Sequence, residues 1–235
     1  MLLDDNDLVE NPTTRVPIVF CLDTSGSMWG RKTDDLNQAL NDFYAELLKD
    51  RTAKYAADAC IVTFDSSCRI MQPFENISHG RIPAIKNPSG VTLLGEGANM
   101  ALDCLESRKQ EYKANGIEYY QPWLVLMSDG VPCQSAQSEI DRAVRRAIDL
   151  EANGKLTVFP IYISEGSYVD DQAVAILNKF SNRANARSFD SKSLPELFRW
   201  LSASAATVSH SSTGDEPTIN FDDFIPSMVS MSEIL

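Results

Sequence analysis

A chain of 235 residues, 43% of them hydrophobic, is long enough to bury one substantial core and short for two. Its formal charge of -12 gathers at the ends: four acidic residues against one arginine in the first fifteen positions, and five acidic residues without lysine or arginine from 209 onward. That charge repels polyphosphates and anionic headgroups, which excludes nucleic acid and membrane surfaces as expected partners and favours other proteins.

The elements follow in chain order. Val16 to Leu22 is a continuous apolar run that reads as a buried strand, and Asp34 to Lys49 carries Leu36, Leu40, Phe43 and Leu47 at helical spacing. Ala59 to Phe64 and Arg69 to Phe74 flank the turn residues DSS and predict a hairpin. A long helix is expected over Gly95 to Lys113 and a buried strand over Trp123 to Met127. Ile140, Val144, Ala147 and Ile148 mark a further helix that should stop near Gly154. Leu156 to Ile163 predicts a strand, Asp170 to Phe180 a helix and Ala186 to Phe189 a short strand. The last helix is expected to open at SLPE, with Ser193 as cap, Pro195 in the first turn and Glu196 closing a capping box. The aromatic segment Glu111 to Trp123 reads as core and rim leading into the central strand. Strands alternating with helices predict a doubly wound, mainly parallel six-stranded α/β sheet, with helices on both faces and one antiparallel edge strand.

Within this plan, residues 1–13 are expected as an acidic arm, 14–208 as the domain and 209–235 as an acidic, hydrophobic tail that docks separately on a partner, with packing back onto its own domain as the alternative. The opening MLLDDNDLVENP lacks the basic start and apolar core of a secretory signal, and no stretch reaches the length of a membrane span, so the cytoplasm is the expected location. Cys21, Cys60, Cys68, Cys104 and Cys133 are odd in number without a CxxC pair and are expected as reduced thiols, mostly core filler; Cys133, just beyond SDGVP, lacks the cationic neighbour that would make it reactive. His79 and His210 both lie in polar context and read as solvated loop or tail residues.

The chemistry concentrates where the first strand stops. In VFCLDTSGSMWG the oxygen-bearing side chains Asp23, Ser25 and Ser27 occupy alternate positions, so a roughly extended loop aims all three the same way. A second strand end, WLVLMSDG, supplies Asp129, and GVTLLGEG between them supplies Thr92 on a loop before the long helix. Two carboxylates meeting at one sheet edge repel unless one holds a proton or a cation sits between them. Carboxylate and hydroxyl oxygens are hard donors, which suits magnesium, with manganese or calcium as alternatives.

These residues resemble the von Willebrand factor type A domain and its metal-ion-dependent adhesion site. The family motif, DxSxS in the first loop, Thr in the second and Asp in the third, is met by Asp23, Ser25, Ser27, Thr92 and Asp129 over a resemblance covering about residues 14–208. The lead-in ENPTTRVPIVFCLDTSGSM and the terminal LPELFRWLSASAATVSHS look most like the bacterial TerY or YegL-type group linked to tellurium resistance and stress operons. Val131 departs from the acidic residue that relatives often carry after SDG. The resemblance implies a non-catalytic interaction module: the bound ion keeps an exchangeable position that a partner's Glu or Asp fills, with Met28, Trp29, Leu93, Gly130 and Val131 around it. It also implies a PP2C-like phosphatase and a protein kinase as partners.

Three other functions fit less well. GSMWGRKT has three residues between its glycines and Arg31 before Lys32, unlike a phosphate-binding loop. A metal-dependent phosphoester hydrolase of the DxDxT type needs a second aspartate where Ser25 stands. An RNA-binding module of the same fold lacks a basic stripe interleaved with aromatics.

Overall fold

Eight consecutive buried residues, Val16–Asp23, form β1, and their alternating side chains serve two different cores. Ile18, Phe20 and Leu22 face one side of the sheet, whereas Val19 and Cys21 face the other. The computed structural model describes residues 11–79, 82–212 and Ile219.

After β1 and a single 3-10 turn at Gly26–Met28, helix α1 covers Arg31–Lys49. Leu36, Leu40, Phe43 and Leu47 are its buried stripe, as their spacing predicts. The helix begins three residues before the expected start at Asp34 because Gly30, at φ +82°, turns the chain directly into it. A short helix, α2 (Ala53–Ala56), leads into β2 (Ala57–Phe64), which pairs antiparallel with β3 (Cys68–Asn76). Helix α3 (Leu94–Ala114), β4 (Trp123–Ser128), α4 (Gln137–Ala152) and β5 (Thr157–Ser164) follow. Gly154, at φ +65°, lies just beyond the end of α4 as expected. The segment read as one helix from Asp170 is α5 (Asp171–Leu177) followed by a 3-10 turn, with the Asp170 carboxylate accepting from Gln172 and Ala173 as cap. β6 (Arg187–Asp190) and α6 (Leu194–Ser209) complete the chain.

One expectation at α6 fails. Ser193 makes no capping hydrogen bond, because a 3-10 turn at Ser191–Ser193 runs straight into the helix and Ser193 is already helical. Asp190 takes the capping role at that turn, accepting from the Lys192 N–H at 3.0 Å.

The sheet order is β3-β2-β1-β4-β5-β6, parallel throughout except for β3. Helices α1, α2 and α6 cover one face, where the Phe20 ring lies 5.1 Å from Phe43 and 5.5 Å from Phe198 between centroids. Helices α3, α4 and α5 cover the other. Glycines set how closely α3 approaches: a Cβ on Gly95 would sit 2.5 Å from the backbone nitrogen of Ile140 in α4, and one on Gly97 2.6 Å from the Phe64 ring. At the open edge, β3 carries Pro73 and exposed Arg69, Ile70 and Met71, and its register against β2 shifts twice between Ala59 and Val62. Trp123 and Tyr120 are buried as read, and the Tyr120 hydroxyl donates to the Ser211 carbonyl at 2.6 Å. All five cysteines are free, with Cys133 exposed.

Ile219 packs against the α1–α6 core, and no described helix is long and apolar enough to cross a membrane. The remainder of the expected tail beyond Ser212, and positions 1–10 of the expected arm, lie outside the described residues.

The end of the sheet where β1 and β2 begin holds a buried ionic network. Asp58 accepts from the Arg108 guanidinium at 2.7 Å, the Tyr112 hydroxyl at 2.7 Å and the Asn76 amide at 2.9 Å, with the Arg15 guanidinium 3.8 Å away. Arg15 is itself buried and donates to the Tyr55 carbonyl at 2.6 Å. Burial and the neighbouring Asp58 carboxylate push the Tyr112 hydroxyl well above its ordinary pKa, so it stays a donor. Asp58→Ala removes the carboxylate that the enclosed Arg108 and Arg15 guanidinium groups share, leaving Arg108 with Glu111 at 2.8 Å, and should cost about 3–5 kcal/mol in urea denaturation.

Candidate metal centre

β1 and β4 are neighbours, yet the chain leaves β1 for α1 on one face and leaves β4 for α4 on the other. Loops diverging from adjacent parallel strands open a crevice at the carboxyl ends, the usual ligand position in such sheets. Pairing of Leu22 with Met127 places Asp23, the last residue of β1, beside the end of β4, and Asp129 follows directly.

Both carboxylates are enclosed. One Asp23 oxygen accepts from the Ser25 backbone N–H at 2.8 Å and the other from the Ser128 hydroxyl at 2.6 Å. Asp129 accepts from the Ser27 hydroxyl at 2.6 Å on one oxygen and from the Lys32 ammonium at 2.7 Å on the other. The Ser25 and Ser27 hydroxyls lie 3.1 Å apart, so a continuous run of oxygens joins the two strand ends. Burial first, and then the charge of Asp129, push the Asp23 carboxyl up to about 6, against the opposing pull of Ser128 and Ser25.

Thr92 is buried on the loop before α3, bridged to Cys133 and Gln134. That loop is tied to the first one by Gly26 N–H to the Gly90 carbonyl at 3.2 Å and Ser89 N–H to the Thr24 carbonyl at 2.9 Å. Among the described residues no hydrogen bond joins the Thr92 hydroxyl to the other four side chains.

A family model for the von Willebrand factor type A domain matches residues 18–200. The chain belongs to this family. Among solved structures it is similar to the vWF domain of the type V pili tip protein Mfa5 from Porphyromonas gingivalis, with TM-score 0.62, 12% identity, and coverage of 81% of this chain and 95% of that one. It is also similar to a von Willebrand factor type A protein from Catenulispora acidiphila, at TM-score 0.59, 17% identity, and coverage of 83% and 43%. The pilus adhesin SpaC from Lactobacillus rhamnosus GG, in its open conformation, gives TM-score 0.62, 12% identity, and coverage of 83% and 30%. The chain therefore spans nearly all of the Mfa5 domain but less than half of the other two proteins. Among curated protein sequences none matches.

In this von Willebrand factor type A domain, hydrogen bonds link Asp23 to Ser25 and Ser27 to Asp129, with the two serine hydroxyls in contact. The rim residues divide. Trp29 is 65% exposed, while Leu93, Gly130 and Val131 are partly buried, Val131 packing on the α3–α4 core. Met28 is 1% exposed and belongs to the α1–α6 core, so its side chain lies behind the rim and not on it. The 3-10 turn at Gly26–Met28 points it inward, a local reversal that an extended reading of the loop misses. The sequence reading also passed over two groups. Ser128 supports Asp23 from the end of β4, and Lys32 reaches Asp129 from the first turn of α1. Lys32 was visible only as a failed phosphate-loop lysine, and its position at the start of α1 depends on the early turn at Gly30. Neither histidine joins the cluster: His79 pairs with Glu75 at 3.1 Å and His210 with Asp50 at 3.0 Å, each exposed.

Two carboxylates and the hydroxyls between them form a hard-oxygen set that suits magnesium, manganese or calcium. The repulsion that raises Asp23 is the kind a cation relieves, so these residues fit such an ion. Among the described residues no group of three or more His, Cys, Asp or Glu side chains is placed to hold a metal ion, so a cation here would rest on two carboxylates and hydroxyls.

A carboxyl whose folded pKa is raised contributes stability present below its unfolded pKa and lost as pH rises through the folded value. With chelator present, Asp23 should therefore lower stability progressively between about pH 4 and about 6. Denaturation of wild type and Asp23→Asn across that window checks this, since the difference should shift in favour of the variant as pH rises.

Proposed function

We propose that the domain is a metal-dependent protein-interaction module. Magnesium, or manganese or calcium in its place, is held by Asp23, Ser25, Ser27, Thr92 and Asp129, and a Glu or Asp of a partner completes its coordination. The observation that carries this reading is the pair of buried carboxylates, Asp23 and Asp129, at two neighbouring strand ends, with the Ser25 and Ser27 hydroxyls in contact between them. A hard dication neutralises that charge and keeps a position for an outside oxygen. The adhesin and pilus-tip identities of the similar structures support an interaction role over an enzymatic one.

The partner meets the ion over a rim that includes Trp29, Leu93, Gly130 and Val131. From the TerY-like lead-in and terminal helix, we place the module in the cytoplasm, in a bacterial stress system, with a PP2C-like phosphatase and a protein kinase as its partners.

Millimolar magnesium should raise the melting temperature, because an ion bound only to the folded state adds about 2.7 kcal/mol at a hundredfold excess over its dissociation constant. Asp129→Ala should remove that rise while leaving a folded protein. An identical rise in the variant, read by calorimetric melting, would place the ion elsewhere. Partner capture from the native cell should be lost with chelator and restored by magnesium, and weakened by Thr92→Ala and Ser25→Ala. Capture that persists in chelator would sink the metal-dependent socket.

A further inference from the structure

Lys32 is the cationic side chain that an ion pair ties to the oxygen cluster, and the manner of that tie has a consequence for any dication entering it. Its ammonium sits 2.7 Å from one Asp129 oxygen and 3.4 Å from the Ser27 carbonyl, with the side chain only 12% exposed. The neighbouring Arg31 is turned away toward Asp35, at 3.4 Å. The positive end of the α1 backbone dipole lies behind Lys32, since the helix starts at Arg31.

The two donors to Asp129 differ in what they do when a metal arrives. The Ser27 hydroxyl donates to one carboxylate oxygen, yet it also has lone pairs, so rotating its proton converts it from donor to ligand without leaving the site. The Lys32 ammonium has three protons and no lone pair. It cannot ligate a cation and repels one. Its flexible four-carbon stem allows it to withdraw toward solvent.

We propose that Lys32 is an internal counter-ion that occupies the Asp129 side of the centre and is displaced by the dication, so that it sets how much magnesium the protein needs before the partner's carboxylate has a socket. This rests on the metal-binding reading above and adds the residue that governs its threshold. Once displaced, the ammonium is released at the rim where an acidic partner approaches, so metal entry adds a second positive charge to the docking face.

The test uses the full chain with Lys32→Met, which keeps the aliphatic stem and removes the charge, and Lys32→Arg, which keeps the charge. Magnesium affinity is measured by isothermal titration calorimetry at fixed ionic strength, and melting is followed in chelator and at saturating magnesium. Lys32→Met should bind magnesium about tenfold more tightly than wild type, the order expected when a unit charge a few ångströms away is removed from a partly screened site. Lys32→Arg should stay near wild type. In chelator Lys32→Met should melt below wild type, because Asp129 has lost its cation, and the two should converge at saturating magnesium. A lysine with a merely structural role would lower melting equally under both conditions and leave affinity unchanged, which would overturn the proposal, as would weaker binding by Lys32→Met. Saturable binding in wild type with no difference in Lys32→Met defeats the Lys32 inference alone. Binding in Lys32→Met but not in wild type supports it, and binding in neither defeats both readings.

Discussion

Two carboxylates brought to the ends of adjacent parallel strands, and closed off from water, impose a condition that the surrounding residues must meet. Asp23 and Asp129 cannot both be ionised there at low cost, and the local chemistry reads as a set of responses to that fact. Ser128 and the Ser25 backbone donate to Asp23, while Ser27 and Lys32 donate to Asp129. The condition comes from topology: the order β2-β1-β4 makes β1 and β4 neighbours although the chain visits β2 and β3 between them.

The opposite end of the same sheet solves a like problem differently. Asp58 is as buried as Asp23, but two arginines, a tyrosine and an asparagine surround it from β3, α3 and the approach to β1. There the protein supplies the full complement of positive charge itself. At the candidate metal centre the described residues supply one ammonium, that of Lys32, for two carboxylates. That contrast separates a carboxylate matched by the scaffold's own cations from a pair that is matched by fewer.

Much of this was legible in the sequence for a physical reason. Strands buried on both faces read as unbroken apolar runs, and Val16–Asp23, Trp123–Ser128 and Thr157–Ser164 are such runs. The oxygen pattern stood out in the sequence as three polar residues at alternate positions, but in the structure the 3-10 turn at Gly26–Met28, and not an extended chain, brings the Ser27 hydroxyl to Ser25. What escaped were features set by backbone turns. The 3-10 turn after Ser25 buries Met28, and the turn at Gly30 starts α1 early enough for Lys32 to reach Asp129. Another 3-10 turn before α6 likewise shifted the cap from Ser193 to Asp190. Spacing in a sequence reports regular periods, whereas these turns depend on local contacts made after the sheet has formed.

The β3 edge bears on how this domain meets other molecules. An open strand is a template for pairing with another chain, and β3 spans nine residues with Ile70 and Met71 facing out. Pro73 removes a backbone donor midway, Arg69 places charge beside the apolar pair, and the two register shifts twist the strand out of the flat geometry a neighbouring strand would need. At the far side β6 offers only four residues. Lateral growth of the sheet into fibrils or edge-to-edge dimers is thereby discouraged at both margins, so contacts with other molecules fall to side chains and not to backbone pairing.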